Sequence, residues 1–262
     1  MNQLLLLPLI GFAAVSIIMI MIWLWAVKIN NAGIVDIFWA YNFPVIAVVY
    51  FFLGGGFYQR KLLVLIMVCI WGARLGTYLF VRVLGHIKEE DGRYKQLRAE
   101  WAPNTNSRFF WFFQIQAFSN VFLSLPFLLA AVNPSPELNT LEKIGAVLWL
   151  ISINGEAIAD RQLQVFKKNP SNKGKVCNAG LWNYSRHPNY FFEWMTWVSY
   201  FIFACGSPYG WIAVICPLSM LYLLFKVTGI PMTEEQSLRS KGEAYKKYQQ
   251  STSAFVPWFK KH

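Results

Sequence analysis

Charge is scarce in this chain: Asp, Glu, Lys and Arg make up 14% of its 262 residues, against 56% hydrophobic and 18% aromatic. A soluble domain usually carries about 25% charged residues, so that class is a poor fit and a membrane protein is expected. Cysteine is scarce too. Cys69, Cys177, Cys205 and Cys216 lie scattered, three of them inside apolar runs and none in a C-x-x-C pair. That excludes a metal knuckle or a disulfide framework and leaves them as small buried hydrophobes. The three histidines, His86, His187 and His262, are widely separated, with no further ligands at metal-binding spacing, so no metal is expected. Neither G-x-G-x-x-G nor a Walker sequence occurs, which excludes a soluble-type nucleotide domain. The first apolar run lacks a basic start and a small-residue cleavage site, and reads as a retained span rather than a signal peptide.

What the chain has in quantity is long apolar runs. A hydrocarbon core about 30 Å thick needs roughly 20 apolar residues of helix. Seven runs answer to that: Leu4 to Val27, Gly33 to Leu53, Leu62 to Leu84, Phe109 to Val132, Leu141 to Phe166, Tyr190 to Cys205 and Tyr209 to Thr228. The expected fold is all-α, a single seven-helix membrane domain over residues 1–262. The formal net charge is +11. Its lysines and arginines cluster in alternate loops: Lys28, then Lys88 to Arg108, then Lys167 to Arg186, then the tail to Lys261. The opposite loops hold only Arg60, Lys61 and Lys143. By the positive-inside rule the N-terminus is outside and the C-terminus cytoplasmic, so the basic surface faces an anionic leaflet, not nucleic acid. In the tail, Thr233 ahead of two glutamates suits a helix cap, and the aromatic-basic ending with Phe255, Trp258 and Phe259 suits an interfacial anchor.

Ionisable groups inside spans are costly and mark function by default. Asp36 with Tyr41 and Asn42 lies in the second run, and Arg74, Tyr78 and Arg82 share one face of the third. Gln114 and Gln116 read as glue between helices. Trp39 and Trp71 read as packing aromatics. Glu156 and Asp160, four apart on one helix, repel each other unless donors offset the cost. The loop "KKNPSNKGKVCNAGLWNYSRHPN" offers four lysines, an arginine and backbone amides to phosphates. Pro188 suits the first turn of a helix, so a span is expected to start there.

The stretch "GLWNYSRHPNYFFE" resembles the signature of a membrane reductase superfamily that includes steroid 5α-reductases and sterol C14 reductases. "EAIADRQLQVFKKNP" and "EEQSLRSKGEAYKKYQQSTSAFVPWF" are similar to two further elements of that family, closest to its bacterial steroid 5α-reductase-like branch. The resemblance covers residues 154–259. It implies NADPH held by Glu156, Asp160, Gln164, Lys167, Tyr184, Arg186, His187, Asn189 and Glu193, and Lys175, beside the helix start at Pro188, is a further candidate for its phosphates. It also implies hydride transfer to the double bond of a 3-oxo-Δ4 steroid-like or other lipidic enone that enters from the membrane. Where the steroid enzymes carry Gln-Glu before a proline and then a tyrosine, this chain has "AYNFP" and "WGARLGTY". The expected catalytic set is therefore Tyr41 or Tyr78 as donor, with Asn42, Arg74 and Asp36 orienting it. Membrane methyltransferases of the isoprenylcysteine type carry a similar R-H-P-x-Y, so an S-adenosylmethionine-dependent enzyme is the alternative, and a lipid-binding protein or transporter a third. The sequence fixes no oligomeric state. A bacterial inner membrane, with the cofactor on the cytoplasmic side, is the expected location.

Overall fold

The computed structural model describes residues 2–85, 87, 89–227 and 229–260. His86, Lys88, Thr228, Lys261 and His262, named above, lie outside them. Among the described residues there are helices and no strands. The chain divides into two compact units, Met1–Asn139 with Gly206–Gly210, and Thr140–Cys205 with Trp211–His262.

The described residues of the first unit hold six α-helices and a short 3-10 helix. Helix α1 (Gln3–Ile29) starts at Asn2, whose side chain accepts from Leu4 N, and stops where Asn30 turns left-handed at φ 54°. Its buried residues Leu7, Gly11, Val15, Met19, Ile22 and Ala26 recur every three or four positions, one seam of a helix. A short 3-10 turn, Ala32–Ile34, leads into α2 (Val35–Leu53), and α3 (Tyr58–Leu84) packs back on it. The two approach closely because Gly72 and Gly76 leave room: a Cβ there would stand 2.7 Å from the Pro44 ring and 2.6 Å from the Tyr41 ring. A nine-residue helix, α4 (Gly92–Glu100), follows, and then α5 (Thr105–Leu123) and α6 (Leu125–Val132).

The fourth run, expected as one span, is bent by 43° between α5 and α6. Pro126, in the first turn of α6, has no N–H for the carbonyl four residues back, so the helix breaks at Ser124. Polar side chains tie α1, α2 and α5 together. Ser16 donates to Gln114 Oε1 (2.6 Å), Trp39 Nε1 to Ser119 (2.9 Å) and Asn42 Nδ2 to Asn120 Oδ1 (3.1 Å). The expected role of Gln114 as glue holds, each such bond contributing about 1 kcal/mol in lipid. Trp71 is fully buried with its edge against Phe43, a packing aromatic as expected. Arg60 is also fully buried. Its guanidinium donates to the carbonyls of Asn133, Ser135 and Glu137 at 2.6–2.9 Å, pinning the segment after α6.

The second unit is built on α7 (Thr140–Lys168) and α8 (Pro188–Ala204), which run antiparallel. Asp160 meets Asn189, Gly155 meets Phe192, Trp149 bonds Tyr200 and Gly145 meets Phe203, a constant register along the pair. Helix α8 begins at Pro188, as expected.

The seventh run is not one helix: a 3-10 segment (Gly210–Val214), α9 (Ile215–Tyr222) and a π turn (Leu223–Val227) follow one another. The tail forms two helices, α10 (Ile230–Lys241) and α11 (Glu243–Ser251), where one was expected. Thr233 is not the cap. It lies inside α10 and bonds back to the carbonyls of Gly229 and Ile230, because Pro231 already starts the helix. Phe255 is not an anchor either. It is 7% exposed and packs on Leu224 and Ile230, while Trp258 and Phe259 remain exposed.

Among the described residues four helical segments are long and apolar enough to cross a membrane: Gln3–Ile29, Ala32–Leu53, Tyr58–Leu84 and Gly210–Lys241. The bent pair α5–α6 makes a fifth if counted as one span. Helix α7 has the length, at 29 residues, but Glu142, Lys143, Glu156, Asp160 and Arg161 make it less apolar, and α8 has 17 residues.

Candidate functional site

The α7–α8 seam carries Glu156, Asp160, Asn189 and Glu193. Asn189, in the first turn of α8, donates to Asp160 Oδ1 at 3.2 Å. One turn deeper the register sets Glu156 level with Glu193, and both are buried, at 5% and 8% exposure. Glu193 accepts from Trp197 Nε1 at 3.1 Å. Close approach of the helices here depends on Gly155, where a Cβ would stand 2.5 Å from the Phe192 ring.

At the foot of α7, Lys167 and Lys168 line a cavity of about 320 Å³ with Lys173, Lys175 and Lys241. Leu163, Phe166 and the buried Cys177 form its apolar side. Burial pushes the Cys177 thiol up, despite the backbone bond of Ala179 and the nearby lysines, so it is not a ready nucleophile. The loop is shaped by Gly174 and Gly180, at φ +78° and +60°. Gly180 lies against Gln162, whose Oε1 accepts from Leu181 N at 2.9 Å. Gln164, expected at the site, points to the exposed side of α7, and Gln162 reaches the loop instead.

Arg186 and His187 converge on Glu234, in the first half of α10. Arg186 Nε donates to Glu234 Oε1 at 2.9 Å, and His187 Nε2 lies 2.8 Å from the same oxygen. Tyr245 donates to it at 3.0 Å, and Gln249 to Oε2. The second face of the Arg186 guanidinium donates to the carbonyls of Gln249 and Thr252, both at 2.8 Å. The strap after α11 is stitched to the same motif. Ser185 Oγ donates to the carbonyl of Phe255, Arg186 N to that of Ser253 and Trp258 N to that of Tyr184. Tyr184 keeps its ring exposed, edge-on to Phe259. In the sequence Glu234 shows as one of two adjacent glutamates at the head of "EEQSLRSKGEAYKKYQQSTSAFVPWF", of which one alone faces inward.

The expected catalytic residues fall in the first unit. Tyr41 and Thr77 share a hydrogen bond of 3.2 Å. Asn42 is 1% exposed and its amide is engaged by Asn120. Asp36 accepts from Tyr94 at 2.6 Å and from Arg93 at 3.1 Å, with Arg82 at 3.7 Å. Tyr78 is 38% exposed and Arg74 is half-buried. Among the described residues no group of three or more His, Cys, Asp or Glu could hold a metal ion.

No solved structure matches the chain. A 46-residue stretch is 41% identical to a probable O-methyltransferase, ustE, of Ustilaginoidea virens, covering 18% of this chain and 16% of that protein. The family model of DUF1295, described as a protein of unknown function, matches residues 22–252, a range that includes both the α7–α8 seam and Asp36 to Arg82, and the chain belongs to that family.

Proposed function

We propose that the protein is an NADPH-dependent membrane reductase that saturates the carbon–carbon double bond of a lipidic enone, as steroid 5α-reductases do. One observation carries the reading: a lysine-lined cavity lies two helical turns beyond the Asp160–Asn189 pair, on the same helix that bears Glu156. This donor set fits a phosphorylated dinucleotide, since lysines act as point charges for phosphate and buried carboxylates accept from ribose hydroxyls and amides. The seven-span topology, N-terminus outside and C-terminus cytoplasmic, is part of the proposal. Helix α7, at 29 residues or roughly 44 Å, is long enough to cross. The lysines of the cavity then lie on the cytoplasmic side, in a bacterial inner membrane.

The cofactor supplies the hydride. The chain's own work is to hold it, keep water out and place a hydrogen-bond donor at the enone oxygen, where negative charge grows as the β-carbon is reduced. Tyr41 is the preferred donor, because Thr77 fixes its hydroxyl and Gly76 its ring. Tyr78 is the second candidate. Asn42, held by Asn120, and Asp36, held by Arg93 and Tyr94, act on it through the helix rather than by touching substrate.

The 46-residue likeness to a probable O-methyltransferase favours a second reading, an S-adenosylmethionine-dependent methyltransferase. Purified protein separates the two, because a ligand stabilises the fold it binds. A rise in melting temperature with NADPH, and consumption of NADPH with a 3-oxo-Δ4 steroid, is the expected result. A rise with S-adenosylmethionine and none with saturating NADPH overturns the reductase.

A further inference from the structure

Asn154 is the middle residue of the 29 in α7, and its side chain is exposed. At 1.5 Å per residue it stands about 21 Å from either end of the helix, further than half of a hydrocarbon core about 30 Å thick, so a side chain this short reaches headgroups on neither side. Its Nδ2 donates back to the carbonyl of Leu150 at 2.7 Å, while its Oδ1 accepts no bond among the described residues. The other carboxamides within the apolar runs, Asn42, Gln114, Gln116, Asn120 and Gln162, are buried or half-buried. Among the described residues of those runs only Gln164 is exposed as well, on the same face of α7 and nearer the helix end.

The residues around Asn154 form a helix-pairing seam. Val147, Leu150, Asn154, Ala157 and Arg161 follow one another at alternating steps of three and four, the repeat by which two helices keep one face in contact. Val147, Leu150 and the flanking Ile151 and Ile158 are 50–57% exposed, so the described residues of the chain leave them uncovered. The opposite face of the helix is already taken: Gly145, Trp149 and Gly155 meet Phe203, Tyr200 and Phe192 of α8. The seam therefore lies behind the polar site and not in it. Lipid offers the amide no partner, and apolar contact alone gains little over lipid tails. A second copy of the chain meets the need. Copies in one membrane share their topology, so Asn154 faces its counterpart at the same depth. A carboxamide is both donor and acceptor, so each Nδ2 serves the other's Oδ1 across a two-fold axis. An unrelated protein would have to carry a polar group at that same depth. Arg161, two turns on, repels its own counterpart in a parallel pair, so the helices cross near Asn154 and diverge toward the end where the guanidinium reaches headgroups.

Resting on the seven-span topology proposed above and not on the reductase chemistry, we propose that the protein forms a two-fold homodimer through the outer face of α7, with Asn154 hydrogen-bonded to its counterpart in the second copy at the crossing point.

The test reconstitutes the full chain, carrying a donor or an acceptor dye at its amino terminus, in phosphatidylcholine vesicles over a range of protein-to-lipid ratios. Energy transfer in the parent is expected to fall on dilution with lipid, as a reversible dimer requires. Asn154→Leu should weaken association by about tenfold or more, and Asn154→Gln, which keeps the carboxamide, should stay within about threefold of the parent. Leucine suits a lipid-facing position, so an unshifted or raised melting temperature in detergent verifies that this variant folds. Asn154→Cys, oxidised in membranes, should give a covalent dimer that the parent does not, since its own four cysteines are buried or half-buried. A parent that is monomeric at every ratio overturns the inference and leaves the topology standing. So does a dimer that Asn154→Leu leaves unchanged and Asn154→Cys does not cross-link. Rapid labelling of Asn154→Cys by a membrane-impermeant maleimide, in membrane fragments open on both faces, puts this face of α7 in water and overturns the topology together with the dimer.

Discussion

Glu234 Oε1 lies 2.8 Å from Nε2 of His187 and 2.9 Å from Nε of Arg186, so one carboxylate from the tail holds both residues of the R-H-P motif. The arginine and glutamate side chains are 12% and 13% exposed. In such a setting hydrogen bonds to a charged group contribute about 1.5–3 kcal/mol. Glu234→Gln keeps the shape and removes the charge, and is expected to destabilise the protein by about 2 kcal/mol. At roughly 2–4 °C per kcal/mol for a chain of this size, thermal melting in detergent falls by about 4–8 °C. Glu235→Gln next to it breaks a solvent-exposed pair with Arg239 and moves the melting point little. Equal effects of the two would show that the tail does not clamp the motif.

A second carboxylate gives a pH signature. Glu90, 8% exposed, accepts from Ala32 N at 2.7 Å and from two nitrogens of Arg98 at 2.8 Å. Burial pulls its carboxyl up, but the Arg98 and Ala32 bonds and the positive charges of Arg98 and Lys95 outweigh it and hold it below the usual carboxylate value. A depressed folded-state value means that the stabilisation is complete above the unfolded value of 4.5 and is lost as pH falls below it, through the folded one. Melting temperature should therefore drop more steeply below pH 4.5 in the parent than in Glu90→Gln, whose lower plateau is already reached at neutral pH. Parallel profiles would remove Glu90 from the account.

These two acids also show what the sequence could and could not disclose. Apolar runs are long and unambiguous because bilayer thickness dictates them, so the helices at Gln3–Ile29 and Tyr58–Leu84 are plain in the residues. The start of α8 was legible for a local reason, since Pro188 admits little else. The bend at Ser124 has a local signal in Pro126 that a hydropathy count passes over, whereas the π turn at Leu223–Val227 has none, because hydropathy is blind to which hydrogen bonds close. At the site, Asp160 and Asn189 were found by motif and by helical spacing. Glu234 was missed because its partners lie 47 and 48 residues upstream, and no periodicity reports a contact of that range. The resemblance implies Gln164 at the site, whereas the loop meets the face of α7 carrying Ala159 and Gln162.

The close α7–α8 approach yields a stability prediction. A Cβ at Gly145 would stand 2.7 Å from the Phe203 backbone nitrogen and 2.9 Å from its Cα, atoms that cannot move without shifting a helix. Gly145→Ala is expected to cost about 1–3 kcal/mol by overpacking. Gly92→Ala, at the first position of α4 with nothing within 4 Å, is neutral or mildly stabilising because it removes freedom from the unfolded chain. Melting curves of the two variants against the parent decide it. An unshifted Gly145→Ala would mean that the helices do not pack at this register.

Asp36 makes the last prediction, because it distinguishes a residue that orients substrate chemistry from one that fastens a loop. Its oxygens accept from the Tyr94 hydroxyl and the Arg93 guanidinium, both on α4, and Tyr94 is 1% exposed. Arg93 also stacks over the Tyr94 ring, with its central carbon 4.5 Å from the centroid. A nine-residue helix is too short to persist in water without tertiary support, so α4 depends on this attachment and on the Arg98–Glu90 pair. Asp36→Asn leaves a weaker acceptor and no charge for Arg93. Local opening of the segment should then become easier without global unfolding. Limited trypsin digestion in detergent should cut after Arg93, Lys95 or Arg98 several-fold faster than in the parent, with the fragments identified by mass. If cleavage in the segment is unchanged while turnover is lost, Asp36 belongs to the chemistry rather than to the loop.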